Sequence, residues 1–412
     1  MPRFLSVTLE IPHKGIADAG GEFIRRHYAV LSSLGHLDVI GRRTAANIAA
    51  AENPSPENLH TTILAATGWE SPALRPARIV RNTLRGLSLG PEFSAPLLDL
   101  LKKSDLREYD TIEFHWVESA QWVRRIRKLA PKAQLVLVAH DVLSQRRERV
   151  YTGAQKPVDR LQAWIRWRTA VAAEKRLFPL FDTVVLFSEK DQRLVSTISP
   201  RSRPRVLRPW LTPEDEPAMR NRPSIPLNES RPTALFTGAM SRAENDDAAQ
   251  WLVKHIWPSV RASLPHARLV VAGAGPSATL RQLVSNDESI EITGFVEDLD
   301  VYYANADAFV VPLRFGAGVK FKTIAAQLAG LPIVSTRVGA EGVGGEFAGI
   351  TDDASEFART LTEVLRDPDS WRERSRETQI AAHARFGLHA YTESVRAIWD
   401  PAALSGQPAA DE

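Results

Sequence analysis

The sequence predicts an α/β protein built of two Rossmann-like, doubly wound domains, and three observations predict it. Strand-like apolar runs alternate with amphipathic helical patterns through both halves of the chain, the order that a parallel sheet covered by helices on both faces requires. The 412 residues are too many for one ordinary core, yet 44% are hydrophobic and 25% charged, which is material enough for two. Between the halves, residues 199–233 are rich in proline and charge and carry little periodicity, as a linker does.

The elements follow in order. In the first half, strands are predicted at 4–9, 38–40, 61–65, 111–114, 134–139 and 183–187, with helices at 22–34, 120–129 and 159–178. In the second half, strands are predicted at 234–237, 268–272, 290–293, 308–311 and 333–335, with helices at 246–264, 279–284, 321–329 and 356–365. The expected division is a domain over 1–200, a linker over 201–233 and a second domain over 234–385. A C-terminal helix over 386–400 is expected to pack back on the first domain, and 401–412 to form a disordered tail. No internal repeat is evident.

Composition excludes several classes. Cysteine is absent, which removes disulfides, thiolate catalysis and Cys-based metal sites. No apolar run is long enough for a transmembrane helix, and the opening MPRFLSVTLEIPHKG reads as a first strand, not a signal peptide. A cytoplasmic location is expected. The net charge of +3 conceals an asymmetry: residues 1–200 hold 29 basic and 21 acidic residues, and the remainder 23 and 28. A basic first half suits an anionic partner, such as a membrane surface, a phosphorylated lipid or nucleic acid; Arg-rich solvated helix faces explain it equally well. The sequence has no nucleic-acid-binding motif, no HEXXH, no Walker loop and no carboxylates at metal-ligand spacing.

Chemistry concentrates at Phe315-Gly316-Ala317-Gly318-Val319-Lys320-Phe321-Lys322, between the strand AFVVPL and the helix TIAAQLAG. A glycine turn that ends a strand and opens a helix presents backbone N–H groups to an anion, and Lys320 and Lys322 add positive charge suited to a diphosphate. The alternative is a tight turn with solvated lysines.

The run VPLRFGAGVKFKTIAAQLAGLPIVSTRVGAEGV resembles the nucleotide-binding core of retaining glycosyltransferases of family 4, which have the GT-B fold: two Rossmann-like domains facing a central cleft. Residues 235–276 resemble the opening of that family's C-terminal domain, with Gly238 after the first strand, Asn245 before a long helix and Gly273-Ala274-Gly275-Pro276 after the second strand. Gly294, Phe295 and Val296 resemble the loop that holds the nucleotide base through its backbone. The likeness covers 234–345 closely and the N-terminal half more loosely. It implies a C-terminal domain that binds a UDP- or GDP-sugar without a metal or other cofactor, and an N-terminal domain that takes a glycan or lipid-linked acceptor. The sequence departs from the family where two carboxylates, eight positions apart, are usual. Ala317 and Ala325 stand there instead, so the charge-assisted hydrogen bond to the ribose hydroxyls is missing. Gln327 is expected on a different helix face and does not replace it.

Other candidates are single residues. Gly20 and Gly21 lie between the first strand and a helix, where GT-B proteins let backbone approach the donor phosphates and where glycine permits positive φ. His140 directly follows the strand LVLVA; the resemblance implies contact with the donor sugar, and a local hydrogen bond to Asp141 is the alternative. His115, in EFHWVES, is a second candidate. Ser188 is expected to N-cap a helix. Arg242 has the fork geometry to reach the diphosphate, or is a solvated loop arginine. The basic stretches 74–86 and 124–132, and Trp164 and Trp167 among arginines, suit an acceptor or membrane face, although tryptophans at helical spacing are read first as core. A catalytically degenerate GT-B protein that scaffolds an active transferase is the main rival, motivated by Ala325. A sugar-nucleotide epimerase of the same fold is a weaker one.

Overall fold

The computed structural model describes residues 1–13, 16, 19–54, 56, 59–64, 97, 100–101, 105–212 and 231–399. The basic stretch 74–86, most of the expected linker and the tail 401–412 lie outside the described residues. The chain divides into two units, one of Met1–Pro209 with the chain from Tyr391 onward, the other of Trp210–Ala390.

The first unit is a seven-stranded sheet of β1 (Arg3–Thr8), β2 (His36–Gly41), β3 (His60–Ile63), β4 (Thr111–His115), β5 (Gln134–Val138), β6 (Thr183–Leu186) and β7 (Pro204–Val206). The order is β3-β2-β1-β4-β5-β6-β7 and every pairing is parallel. β4, β5 and β6 are buried along their whole length; β5 and β6 read as apolar runs for that reason, while β4 carries the buried Glu113 and His115. β7 lies inside the span read as linker and extends the sheet beside β6. The helix Leu388–Trp399 counts with this unit from Tyr391 on, and Gln134 Nε2 donates to the Ile398 carbonyl at 2.6 Å.

The second unit has β8 (Thr233–Thr237), β9 (Arg268–Ala272), β10 (Ile290–Gly294), β11 (Ala308–Val311), β12 (Ile333–Ser335) and β13 (Gly349–Ile350), in the order β10-β9-β8-β11-β12-β13, again parallel throughout. Both sheets reverse strand order once, between β1 and β4 and between β8 and β11. Ligands of doubly wound sheets bind at the carboxyl ends of the strands at that reversal.

Three local readings differ from expectation. The helix expected at 246–264 is broken into Ala243–Trp251, a π turn at Leu252–Ile256 and Trp257–Ser263. Pro258 has no N–H to continue the ladder, so the backbone widens ahead of it. The helix expected at 120–129 starts as a 3₁₀ segment, Val117–Trp122. Trp164 is not core: on the helix Pro157–Leu177 it is 44% exposed, while Trp167 stacks on Tyr151 with ring centroids 5.5 Å apart. Among the described residues no helix is long and apolar enough to cross a membrane.

Candidate functional site

In the second unit, glycines in positive φ line the carboxyl ends of four neighbouring strands. Gly238 (φ 157°) follows β8, Gly273 and Gly275 (144° and 72°) follow β9, Gly294 (71°) ends β10, and Gly316 and Gly318 (126° and 73°) follow β11. These loops are tied by backbone: Gly238 N–H donates to Ala272 O at 2.9 Å, Met240 N–H to Ala274 O at 2.7 Å and Gly273 N–H to Gly294 O at 3.0 Å. Side chains are excluded by contact as well as by φ, because a Cβ on Gly273 would lie 1.9 Å from the Gly238 carbonyl oxygen. The result is a rim of bare backbone that a ligand can approach closely.

Lys322 sits in the first turn of the helix Phe321–Leu328 and reaches under this rim. Its ammonium donates to Asn245 Oδ1 at 2.7 Å and lies 4.6 Å from the centre of the Phe236 ring, while Asn245 Nδ2 donates to Ala239 O at 2.9 Å. A Cβ on Gly238 would fall 2.5 Å from Nζ, so the lysine lies directly beneath the β8 turn. Burial lowers its pKa to about 7; neighbouring Lys320 and Arg242 add to the shift and Glu244 opposes it. An anion seated here would restore the charge. Lys320 is used differently. It is 8% exposed, and its ammonium donates to the Ala317 and Gly318 carbonyls at 3.2 and 2.6 Å, which organises the loop from within. Arg242 precedes the helix Ala243–Trp251, is exposed and pairs with Glu244 at 3.4 Å. Phe295 is exposed, with Val296 half-buried beside it. Gln327 is buried and donates to Gly344 O at 2.7 Å, as its helix face implies. The structure thus gathers Arg242, Gly316, Gly318, Lys320 and Lys322 into one place, with Gly294 adjoining through Gly273.

Gly20, Gly21 and His140 belong to the first unit. Gly20 and Gly21 lie within the first turn of the helix Ala19–Leu34, and neither has positive φ. The turn expected before that helix therefore does not use their conformational freedom. Phe23, one residue past Glu22, meets His140 edge-on at 5.4 Å between centroids.

His140 crowns a buried polar cluster that sequence reasoning missed. Glu113, inside β4 and 1% exposed, accepts from three donors: His115 Nε2 at 3.0 Å, His27 Nε2 at 3.0 Å and Trp399 Nε1 at 2.7 Å. Tyr391 O–H donates to His27 Nδ1 at 2.7 Å. His115 Nδ1 and His140 Nε2 are 3.0 Å apart. Burial opposes charge on Glu113, but the imidazoles of His27 and His115 and their hydrogen bonds outweigh it and hold the carboxyl well below its ordinary range. Burial also lowers the pKa of His115, and lowers that of His140 far below the usual value. His27, Glu113 and His115 offer ligand atoms within 4.8 Å of one another, as a metal site needs. Yet both nitrogens of each histidine and both carboxylate oxygens are already committed to hydrogen bonds, so the cluster is satisfied as it stands. One signal was legible: a carboxylate in the middle of an apolar strand must find partners, and His115, two residues on, shares its face.

Trp116 is the other missed residue. It has φ 63° and ψ 147° and is the one non-glycine with positive φ among the described residues. This region is essentially reserved for glycine and costs about 1–3 kcal/mol. The strained backbone sets its indole parallel to His140, with centroids 4.1 Å apart and planes at 13°.

Two parallel Rossmann-type sheets with these glycine-rimmed strand ends define the GT-B fold, and solved structures agree over nearly the whole chain. Sucrose-phosphate synthase from Thermosynechococcus elongatus superposes with a TM-score of 0.70 at 19% identity, covering 98% of this chain and 100% of that one. WaaG, a glycosyltransferase involved in lipopolysaccharide biosynthesis, gives 0.67 at 16%, covering 96% and 100%. Anabaena HepE, solved with UDP and glucose, gives 0.65 at 14%, covering 99% and 100%. Residues 231–367 match the family model described as glycosyl transferases group 1. An uncharacterized 44.6 kDa protein in the cps region of Klebsiella pneumoniae is 28% identical over 149 residues, a match spanning 34% of this chain and 38% of that relative.

Proposed function

We propose that this chain is a retaining glycosyltransferase that moves a sugar from a UDP- or GDP-sugar to a glycan or lipid-linked acceptor, without a metal. One observation carries the reading: Lys322 is buried beneath the glycine rim at the β8–β11 reversal, with Arg242 and a helix start beside it. Sugar transfer leaves negative charge on the departing diphosphate. A buried ammonium and helix N–H groups stabilise that charge best in a site poor in water. Gly316 and Gly318 bring the backbone close to the phosphates, Lys320 holds their loop, and Gly294, Phe295 and Val296 take the base. His140 contacts the sugar, and Gly20 and Gly21 open the helix that supports it.

The acceptor side is read from the helices Leu143–Gly153 and Pro157–Leu177. Val158 and Leu161 are 67% and 59% exposed, with Trp164 and Ile165 continuing the stripe. Arg160, Arg166 and Arg168, exposed on the same helix, flank it. An apolar stripe among arginines suits an anionic membrane surface and a peripheral, cytoplasmic enzyme. HepE, which binds UDP and glucose, and WaaG, a glycosyltransferase involved in lipopolysaccharide biosynthesis, support a sugar-nucleotide donor and an envelope glycan by likeness of fold.

The test is thermal shift and release of nucleoside diphosphate over a panel of UDP- and GDP-sugars. A shift with at least one donor, and release that His140→Ala reduces at least tenfold, is expected. Ala317 and Ala325 favour a second reading, a degenerate scaffold partner of an active transferase. No shift with any donor at millimolar concentration selects it.

A further inference from the structure

The geometry points to Glu113 and His115 as positioning residues that fix the tautomer of His140, through a buried chain of two hydrogen bonds, so that His140 presents a bare Nδ1 acceptor. The inference rests on the reading that His140 contacts the donor sugar, and specifies which hydrogen bond it makes there.

Direction along the chain follows from its fixed ends. Trp399 Nε1 can only donate, and it donates to Glu113 Oε2 at 2.7 Å. The ionised carboxylate can only accept, so His115 Nε2, 3.0 Å from Oε1, carries a proton. In a neutral imidazole the other nitrogen is then an acceptor. His115 Nδ1 therefore accepts, and His140 Nε2, 3.0 Å away, must donate to it. His140 Nδ1 is left with its lone pair, and among the described residues no hydrogen bond satisfies it. Burial keeps both histidines neutral, consistent with this assignment. The ring plane is held separately, by Trp116 stacked at 4.1 Å on one side and by Phe23 and Phe187 edge-on at 5.4 Å each.

An acceptor at this place selects a donor-sugar hydroxyl, which gives its O–H to Nδ1. As positive charge develops on the ring, that hydroxyl becomes a better donor, so the bond strengthens toward the transition state. A protonated Nδ1 would instead oppose the developing charge.

Glu113→Gln turns the chain around without changing its shape. Trp399 still donates, so the amide oxygen must face Trp399 and the amide nitrogen must face His115. The amide then donates to His115 Nε2, His115 Nδ1–H donates to His140 Nε2, and His140 carries its proton on Nδ1. Nitrogen-15 NMR of the histidine-labelled full-length protein, with His140 assigned from His140→Ala, reads this directly. In the wild type, His140 is expected with Nε2 protonated and Nδ1 bare; in Glu113→Gln the two are exchanged. With whichever UDP- or GDP-sugar the panel identifies as donor, kcat of Glu113→Gln is expected to fall roughly tenfold or more while KM stays within about twofold. A wild-type His140 protonated on Nδ1, or averaging between tautomers, overturns the inference without any need for a variant. So does a Glu113→Gln protein with the wild-type tautomer. Failure of the underlying reading looks different: His140→Ala would keep full turnover while the tautomer assignment still held.

Discussion

The indole of Trp116 lies flat against the imidazole of His140, 4.1 Å between centroids, and Trp116 holds it there from a backbone at φ 63° that glycine alone adopts without strain. The strain is maintained by burial on both sides: Val117 and His115 are 2% and 0% exposed, so the chain has no room to relax. The effect of this strained conformation is to orient one histidine at a strand end, the histidine proposed to contact the donor sugar. Trp116→Ala removes the stack. Donor turnover is expected to fall roughly tenfold, with the thermal shift from donor unchanged because Lys322 lies in the other unit. Unchanged turnover would make Trp116 a packing residue.

The glycine rim makes a graded prediction. Gly273→Ala drives a Cβ to within 1.9 Å of the Gly238 carbonyl, at φ 144°, and must displace the β8 turn; a loss of about 3 kcal/mol or more is expected. Gly294→Ala meets nothing within 4 Å and bears only the cost of φ 71°, about 1–2 kcal/mol. Denaturant midpoints of the two variants check the order. Equal losses would show that conformation, and not contact, governs the rim.

Glu174 supplies a pH prediction. It is fully buried on the helix Pro157–Leu177 and accepts from Ser144 N–H at 3.1 Å, while its Oε2 has no hydrogen-bond partner among the described residues. Burial raises its pKa from 4.5 to about 7, partly opposed by the bonds to Ser144 and aided by Asp141. The folded state therefore binds this proton more tightly than the unfolded chain. The stability that follows is complete below about pH 4.5 and is lost as pH rises to about 7, on the order of 2–3 kcal/mol. Glu174→Gln should leave stability near pH 4.5 almost unchanged and raise it at pH 8. Parallel stability curves for the two proteins across this range would contradict the assignment.

For the exposed stripe, Leu161→Glu with Ile165→Glu keeps two solvent-facing helix positions solvated and is expected to change the melting temperature little. Flotation with anionic vesicles should carry the wild type and leave the double variant in solution, and high salt should weaken the wild-type binding. Wild type that stays in solution with anionic vesicles rejects the membrane face.

Much of this was legible in the residues, and the unread parts have physical causes. β5 and β9 were readable because a central parallel strand is apolar on both faces, as QLVLV and RLVVA are. The glycine loop around Gly316 and Gly318 was readable because few other residues tolerate its backbone. The role of Lys320 was not, because two lysines at i and i+2 look alike in sequence, and only the fold turns one onto its own loop and the other onto Asn245. The break before Pro258 was written in the sequence as proline but lost in a strong helical pattern. The Glu113 cluster draws on positions 27, 113, 115, 391 and 399, partners that no local pattern joins. Trp164 was misread because helical spacing does not say which face of a helix meets the core.

The central claim is that Lys322 grips the donor diphosphate, and calorimetric titration of UDP- and GDP-sugars into wild type and Lys322→Met, at pH 8 in two buffers, tests it most directly. Lys322 is lowered from 10.5 to about 7, so it is largely neutral at pH 8, and folding stability rises with pH between those values as the buried charge is relieved. Diphosphate binding should draw a proton onto Lys322, seen as a heat that changes with the buffer. Lys322→Met should weaken binding at least tenfold, abolish that proton uptake and, at pH 7, stabilise the free protein by roughly 1–3 kcal/mol. A Lys322→Met protein that binds the donor as tightly as wild type, with the same proton uptake, would contradict the account.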